Sequence, residues 1–302
     1  MVKPKSKYDI SIIIPTYNRS ELLDYSLASL TRQDIDRDRF EVVIADDGSV
    51  DDTLEVIKKF KDLLNLQYLF QEDKGYRPGS ARNMGIRSAQ GDICLFIDSG
   101  VILNINCLGE HIRFHATKGP NVSAIGYVYG FDRTKESEEM LRELVDPYEP
   151  CQSINKLAEY EIFWDVRDAH YVTYSDRIHE LPAPWYYFWT CHLSVARTDL
   201  MAVGLFDEGY DGRWGIEDND LGYRLHKHGI AIHLLRSAEA MHYPHQKDKE
   251  ERRLEGLQNC NYFHKKFQTL ETSLYLDNYM NSSEFVDINK LILQIRVSDK
   301  VV

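Results

Sequence analysis

Glu217, Asp218 and Asp220 crowd three carboxylates into four positions, directly behind Trp214 and Gly215. They open a stretch in which Leu221 and Leu225 repeat at helical spacing. Acidic side chains suit the first turn of a helix, because its free N–H groups and its dipole favour negative charge. A single carboxylate is enough to cap a helix. Three of them after an aromatic residue and a glycine predict a further task. A carboxylate within hydrogen-bond reach of a hydroxyl can take its proton as that oxygen attacks, an effect of roughly 10²–10⁴-fold.

The elements that would position such a cluster begin at the N-terminus. Residues 10–14 are a β-branched run stopped by Pro15 that reads as a buried strand, and the mainly apolar runs 41–45, 66–70 and 93–97 read as three further strands. Helical patterns over 20–31, 51–62 and from 79 onward separate them. Strand and helix alternating in this way predict an α/β fold, with a mostly parallel central sheet covered by helices. Ligands bind beyond the carboxyl ends of such strands. Those ends carry Thr16, Tyr17 and Asn18, then Asp46 and Asp47, then Asp98. Neighbouring strands lie ~4.8 Å apart, so these groups can converge on one small molecule. No G-x-G-x-x-G follows the first strand and no G-x-x-x-x-G-K-[ST] occurs, which excludes the NAD-type and P-loop readings.

Composition narrows the class. The net charge of −12 argues against nucleic acid or an anionic membrane as partner. Five cysteines, an odd number without a C-x-x-C pair, suit a reducing compartment. The apolar run at 10–14 is too short for a signal or transmembrane segment, so a cytoplasmic protein is expected. Beyond Gly100 the regularity weakens. A helix is expected over 104–117, a strand over 122–129, partial helix over 134–160 and a mobile loop over 165–180. Residues 185–189 are five adjacent aromatics, Trp185 to Trp189. They cannot all point inward from one strand or helix, so some are expected to face a sugar. Strands at 191–196 and 230–235, a charged helix over 248–266 and a short helix over 289–296 complete the reading. One domain over 1–266 is expected, with a nucleotide-binding half at 8–100 and an acceptor half at 101–250. Residues 267–302 would form a C-terminal extension.

Five motifs then fall in one order: Ile-Ile-Ile-Pro-Thr-Tyr-Asn-Arg at 12–19, Asp-Asp-Gly-Ser at 46–49, Ala-Arg-Asn-x-Gly at 81–85, Phe-Ile-Asp at 96–98 and Trp-Gly-x-Glu-Asp-x-Asp-Leu at 214–221. Over about residues 8–250 the chain resembles glycosyltransferase family 2. Its last motif is also similar to the C-terminal part of chondroitin-polymerase-type and β-1,4-galactosyltransferase-type enzymes. The resemblance implies a GT-A fold and inverting transfer of a sugar from a nucleotide diphosphate, with UDP expected, to a glycan or other hydroxyl-bearing acceptor. It implies Asp218 as general base, with Glu217 binding a hydroxyl, Asp220 supporting the helix start and Trp214 flanking the acceptor beside Trp185, Tyr187 and Trp189.

On the donor side, Pro15, Thr16, Tyr17 and Arg19 would line the nucleotide, with Tyr17 stacking on the base. Asp46 or Asp47 would accept a ring N–H. Gly79, Arg82 and Asn83, at the start of a helix, would seat the diphosphate, and Lys74 and Arg77 would close over it. Asp98 and Ser99 belong to an Asp-x-Asp motif that binds ribose and a divalent cation. Here the motif reads Asp98-Ser99-Gly100 and lacks its last carboxylate. His242 and His245 are the further candidates for holding Mn²⁺ or Mg²⁺ with Asp98. The missing ligand motivates an alternative, a nucleotide-sugar-binding protein that has lost catalysis. A nucleotidyltransferase would need a Gly-rich basic loop after the first strand, and Pro15-Thr16-Tyr17-Asn18 is not one.

Overall fold

The β-branched run after Asp9 is buried on both faces, as a central strand requires: Ile10, Ile12, Ile13 and Ile14 are fully shielded from solvent. A computed structural model describes residues 6–131, 134–245, 249–281 and 285–298. Its strands are β1 (Tyr8–Thr16), β2 (Phe40–Asp46), β3 (Leu66–Phe70), β4 (Gly91–Ile97), β5 (Val101–Leu103), β6 (Val122–Tyr129), β7 (His192–Ala196) and β8 (Ala231–His242). They form one eight-stranded sheet in the order β3-β2-β1-β4-β7-β6-β8-β5.

The first four strands are mutually parallel, as their alternation with helices predicts. The register sets Thr16 opposite Asp46 and Ile13 opposite Phe96, so the polar strand ends share one edge. β7 then runs antiparallel to both β4 and β6, and β5 antiparallel to β8. Ile97 pairs with His192, which brings the segment before β7 alongside Asp98.

The second half differs from its expected outline in its element bounds, in one loop and in one aromatic run. The helix expected over 104–117 runs Cys107–Lys118, and the strand expected to stop at 235 continues to His242 across a register shift at Gly126/Tyr127. The expected mobile loop at 165–180 holds a helix, Asp168–Thr173, and is anchored by a buried ion pair. Arg167 is 1% exposed. It bonds Asp165 at 2.6 Å and the Tyr187 carbonyl at 3.0 Å, and stacks 4.7 Å from the Trp189 ring. A buried charge pair has no hydrophobic period, so pattern reading passes over it.

The aromatic run is the third difference. Trp185, Tyr186, Tyr187 and Phe188 are all buried, so Trp185 and Tyr187 are not acceptor-facing residues, contrary to expectation. The run is neither strand nor α-helix. Pro184–Tyr187 form a 3₁₀ turn that sends successive rings in different directions. The C-terminal helices Leu270–Asn281 and Ile288–Ser298 cover them. Tyr275 packs 5.7 Å from Trp185, Phe285 stacks on Tyr186 at 4.7 Å, and the Asn289 amide bonds the backbone of Ala183 in both directions. The first of these helices has no forecast in the sequence reading. Together they place Tyr275, Ile288 and Ile292 in the main hydrophobic core rather than in a separate appendage. The charged helix runs Lys249–Phe267; its expected first residue, 248, lies outside the described residues. No helix among the described residues is long and apolar enough to cross a membrane.

Candidate active site

The loop after β3 leads into the helix Pro78–Ser88, whose first-turn proline suits a position with no N–H to satisfy. One turn on, Arg82 points its guanidinium under the sheet edge, where it is 5% exposed. Its Nη2 donates to Oδ1 of Asp98 at 2.9 Å, and its Nη1 to Oε1 of Glu217 at 3.1 Å. A single cation therefore joins the donor-side helix, the end of β4 and the carboxylate cluster. Glu217 is also 5% exposed, and its Oε2 has no hydrogen-bond partner among the described residues. Burial pushes its carboxyl well above the ordinary range; the neighbouring Asp218 charge adds to this and Arg82 opposes it.

Unusual backbone presents the cluster. Gly215 has φ +87° and Ile216 φ +75°, and the helix Glu217–Lys227 starts directly from them. A β-branched residue in the left-handed region carries strain of about 1–3 kcal/mol, which surrounding contacts must hold. Asn259, fully buried on the helix Lys249–Phe267, donates to the Gly215 carbonyl at 2.9 Å and the Arg213 carbonyl at 3.2 Å. Glu255 accepts the Trp214 N–H at 2.9 Å, and Arg252 sits 5.5 Å from the half-buried Trp214 ring. Asp218 is fixed from the sheet, where Oδ2 accepts both the backbone N–H and the hydroxyl of Thr190, just before β7. Asp220 is fully buried and accepts from Arg224, Lys266 and Tyr210, so it ties the helix to its neighbours through side chains. Thr190, Glu255 and Asn259 carried no sequence signal: each acts through contacts that only the fold makes.

The donor side is mixed. Tyr17 is 44% exposed with its hydroxyl on Asp73, leaving a ring face open. Thr16 buries a hydroxyl that has no hydrogen-bond partner among the described residues, and Ser99 donates to the Pro15 carbonyl at 3.0 Å. Asp47 is paired with Arg77, at 2.7 Å from its Nη2, and with Gln71 at 2.6 Å. Lys74 stays exposed on the same loop, and Gly79 packs at the start of the helix beside Asp211. Two expected ligands are otherwise committed. Asp46 is fully buried and accepts from Gly48 N, Ser49 N and the Tyr68 hydroxyl, so it builds the turn rather than reading a base. Asn83 is 1% exposed; its amide donates to the Phe206 carbonyl and Glu208 and accepts from Phe206 N, so neither side-chain donor is left for a diphosphate.

The last position of the Asp-x-Asp motif has become a backbone element. Gly100 sits at φ +97°, where an added Cβ would lie 3.3 Å from Leu22. Its N–H is held by Ser26 Oγ and its carbonyl by Tyr243 N. Asp98 keeps a third of its side chain exposed. His245 lies 3.0 Å from Arg19, an arginine whose pKa burial lowers and the nearby Asp98 supports. His242, at the end of β8 opposite Val101, is 3% exposed and meets the His245 ring at 5.3 Å. Asp98, His242 and His245 do not form a closed ligand trio.

Comparison with known proteins gives the family and the fold type. Validoxylamine A glucosyltransferase of Streptomyces hygroscopicus subsp. jinggangensis is 36% identical over 266 residues, covering 88% of this chain and 63% of that protein. Chondroitin synthase of Escherichia coli is 29% identical over 302 residues, 92% of this chain and 43% of the synthase. The chain therefore spans about three fifths of the first relative's length and less than half of the second's. Among solved structures, Staphylococcus aureus TarS 1-349 in complex with UDP-GlcNAc superposes with a TM-score of 0.63 at 18% identity, covering 90% of this chain and 72% of that one. The mannosyltransferase PcManGT of Pyrobaculum calidifontis, in complex with GDP-Man and Mn²⁺, gives 0.59 at 17%, covering 100% and 83%. The fold shared with these structures is the GT-A type. A model of the N-terminal domain of galactosyltransferase matches residues 175–247, the part that holds the carboxylate cluster. The model of glycosyl transferase family 2 matches residues 11–175, more than half of the 302, and the chain belongs to that family.

Proposed function

We propose that this chain is an inverting glycosyltransferase that moves a sugar from a UDP-sugar to an acceptor hydroxyl in one displacement, with Asp218 as general base. The observation that carries this reading is Arg82, bonded at once to Asp98 beyond β4 and to Glu217 beside Asp218. A guanidinium at the start of a helix seats a diphosphate and stabilises the charge that develops as it leaves. As the acceptor oxygen bonds the anomeric carbon, its proton passes to Asp218. The sugar–phosphate bond breaks with its electron pair on the departing diphosphate. Attack from the opposite face inverts the anomeric centre. The open face of Tyr17 suits stacking on a base; Asp47, beside it, could accept a ring N–H in exchange for one of its bonds from Gln71 and Arg77. The UDP-GlcNAc complex of TarS supports a UDP-sugar. Half-buried Trp214 and Trp189 supply aromatic faces for a glycan or similar acceptor.

A divalent cation, Mn²⁺ or Mg²⁺, is compatible with the exposed part of Asp98 and the imidazole of His245, with His242 behind it. It would neutralise charge on the leaving diphosphate. Five free cysteines support a reducing, cytoplasmic setting. Gly100 favours a second reading, a nucleotide-sugar-binding protein without turnover. UDP release from UDP-sugars, followed with and without Mn²⁺ and acceptor, separates the two: binding without any release selects the second. Asp218→Asn is expected to abolish transfer while keeping donor-induced thermal stabilisation, and unchanged turnover in that variant would remove Asp218 as the base.

A further inference from the structure

Cys107 and His111 lie one turn apart on the buried face of the helix Cys107–Lys118, and His192 meets them from β7. All three side chains are fully buried. His111 Nε2 lies 3.1 Å from His192 Nε2, and Cys107 Sγ lies 3.3 Å from the same nitrogen. The three ligand atoms fall within 4.8 Å of one another, and among the described residues this is the one such trio of His, Cys, Asp or Glu. We propose that Cys107, His111 and His192 bind a d¹⁰ metal ion, Zn²⁺ or Cu⁺, which clamps this helix to β7.

A hydrogen-bonded cluster alone accounts poorly for the arrangement. The thiol and the His111 nitrogen both converge on one His192 nitrogen, which in either tautomer offers a single site, one lone pair or one N–H. A metal uses one lone pair from each of the three. The spacing suits it: with bonds of about 2.0–2.1 Å to nitrogen and about 2.3 Å to sulfur, tetrahedral ligands lie roughly 3.4–3.6 Å apart.

One surrounding contact aims the His111 ring, and packing rather than a hydrogen bond holds the His192 ring. His111 Nδ1 pairs with Ser194 Oγ at 2.9 Å, and Ser194 with His115 Nε2 at 2.8 Å. Such a partner on the far nitrogen orients a ligating imidazole. The His192 ring lies against the bare backbone of β6, where a Cβ on Gly126 would come 2.2 Å from it. Burial pushes His192 down to about 3 and His111 well below the ordinary range, so both rings are neutral and keep a lone pair. Burial raises the Cys107 thiol, and metal binding would displace its proton to solvent.

Thiolate and imidazole together select soft or borderline ions. One thiolate and two neutral rings leave Cu⁺ a neutral complex, whereas Zn²⁺ would keep one positive charge and recruit a fourth ligand such as water. The clamp ends two residues from Thr190, which orients Asp218. Its role is structural and holds whatever sugar the enzyme transfers.

The test uses the full chain, dialysed against EDTA and analysed for metals. The apoprotein is then titrated separately with Zn²⁺, with Cu⁺ under anaerobic reducing conditions, and with Co²⁺ as an optical probe. About one ion per chain, a thiolate-to-cobalt absorption band and a raised melting temperature are expected. Zn²⁺ and Cu⁺ are told apart by which is retained in competition. Cys107→Ser should abolish the cobalt band and Asp98→Asn should keep it, which separates this site from a cation at the diphosphate. Wild-type protein that takes up none of the three ions, or a band that persists in Cys107→Ser, would overturn the proposal; the wild-type result decides even if the variant fails to fold.

Discussion

Thr190 gives both of its donors to one oxygen of Asp218, its backbone N–H at 2.9 Å and its hydroxyl at 3.1 Å. The strand edge thus orients the carboxylate, while the helix that carries it starts from strained backbone at Ile216. Two parts of the chain 28 residues apart define one proton acceptor.

Thr190→Val removes the hydroxyl bond and keeps the backbone one. A hydrogen bond to a charged group contributes about 1.5–3 kcal/mol, so kcat should fall about tenfold or more. The donor KM should change little. Steady-state kinetics with saturating acceptor checks this; an unchanged kcat would mean that the backbone N–H alone orients Asp218.

Glu217 makes stability depend on pH. Its carboxyl is raised in the fold, so above the ordinary value of 4.5 the unfolded chain loses a proton that the folded chain keeps. Stability therefore falls as pH rises from that value toward the raised one, by at most about 1.4 kcal/mol per pH unit. Glu217→Gln removes this dependence. The melting temperature of Glu217→Gln minus that of wild type should grow as pH rises from acid to neutral, and a constant difference would contradict the assignment.

Gly100→Asp restores the missing carboxylate of Asp-x-Asp at a position with φ +97° and Leu22 against it. A non-glycine residue in that conformation costs about 1–2 kcal/mol. The variant is expected to melt lower and to gain no Mn²⁺ stimulation of UDP release. A gain in metal-dependent activity at wild-type stability would show that the loop can open.

Trp185→Ala empties a fully buried site between Tyr223, Phe263 and Tyr275. The loss should be about 3–5 kcal/mol, read by chemical denaturation. The milder Trp185→Phe should leave the acceptor KM near wild type, and a selective rise in that KM would return Trp185 to the acceptor surface.

The parallel half of the sheet was legible in the sequence because a buried strand must be mainly apolar, and residues 10–14, 41–45 and 93–97 are, with Ser11 and Glu41 bonded to each other as the polar exceptions. The edge bearing Thr16, Asp47 and Asp98 followed from where those runs stop. The acidic helix start at Glu217 was equally plain, since charge at a helix N-terminus is a local matter. Contacts between distant segments left no such trace. Asp46 and Asp47 are adjacent and chemically alike, yet Tyr68 and the turn amides bury one while Arg77 and Gln71 hold the other. Trp185 and Tyr187 look like a sugar platform until two C-terminal helices close over them. Composition and periodicity report which residues avoid water. Which buried partner a side chain meets depends on segments that folding brings together, so Arg82 with Glu217, Thr190 with Asp218 and His192 with Cys107 were decided by the tertiary structure alone.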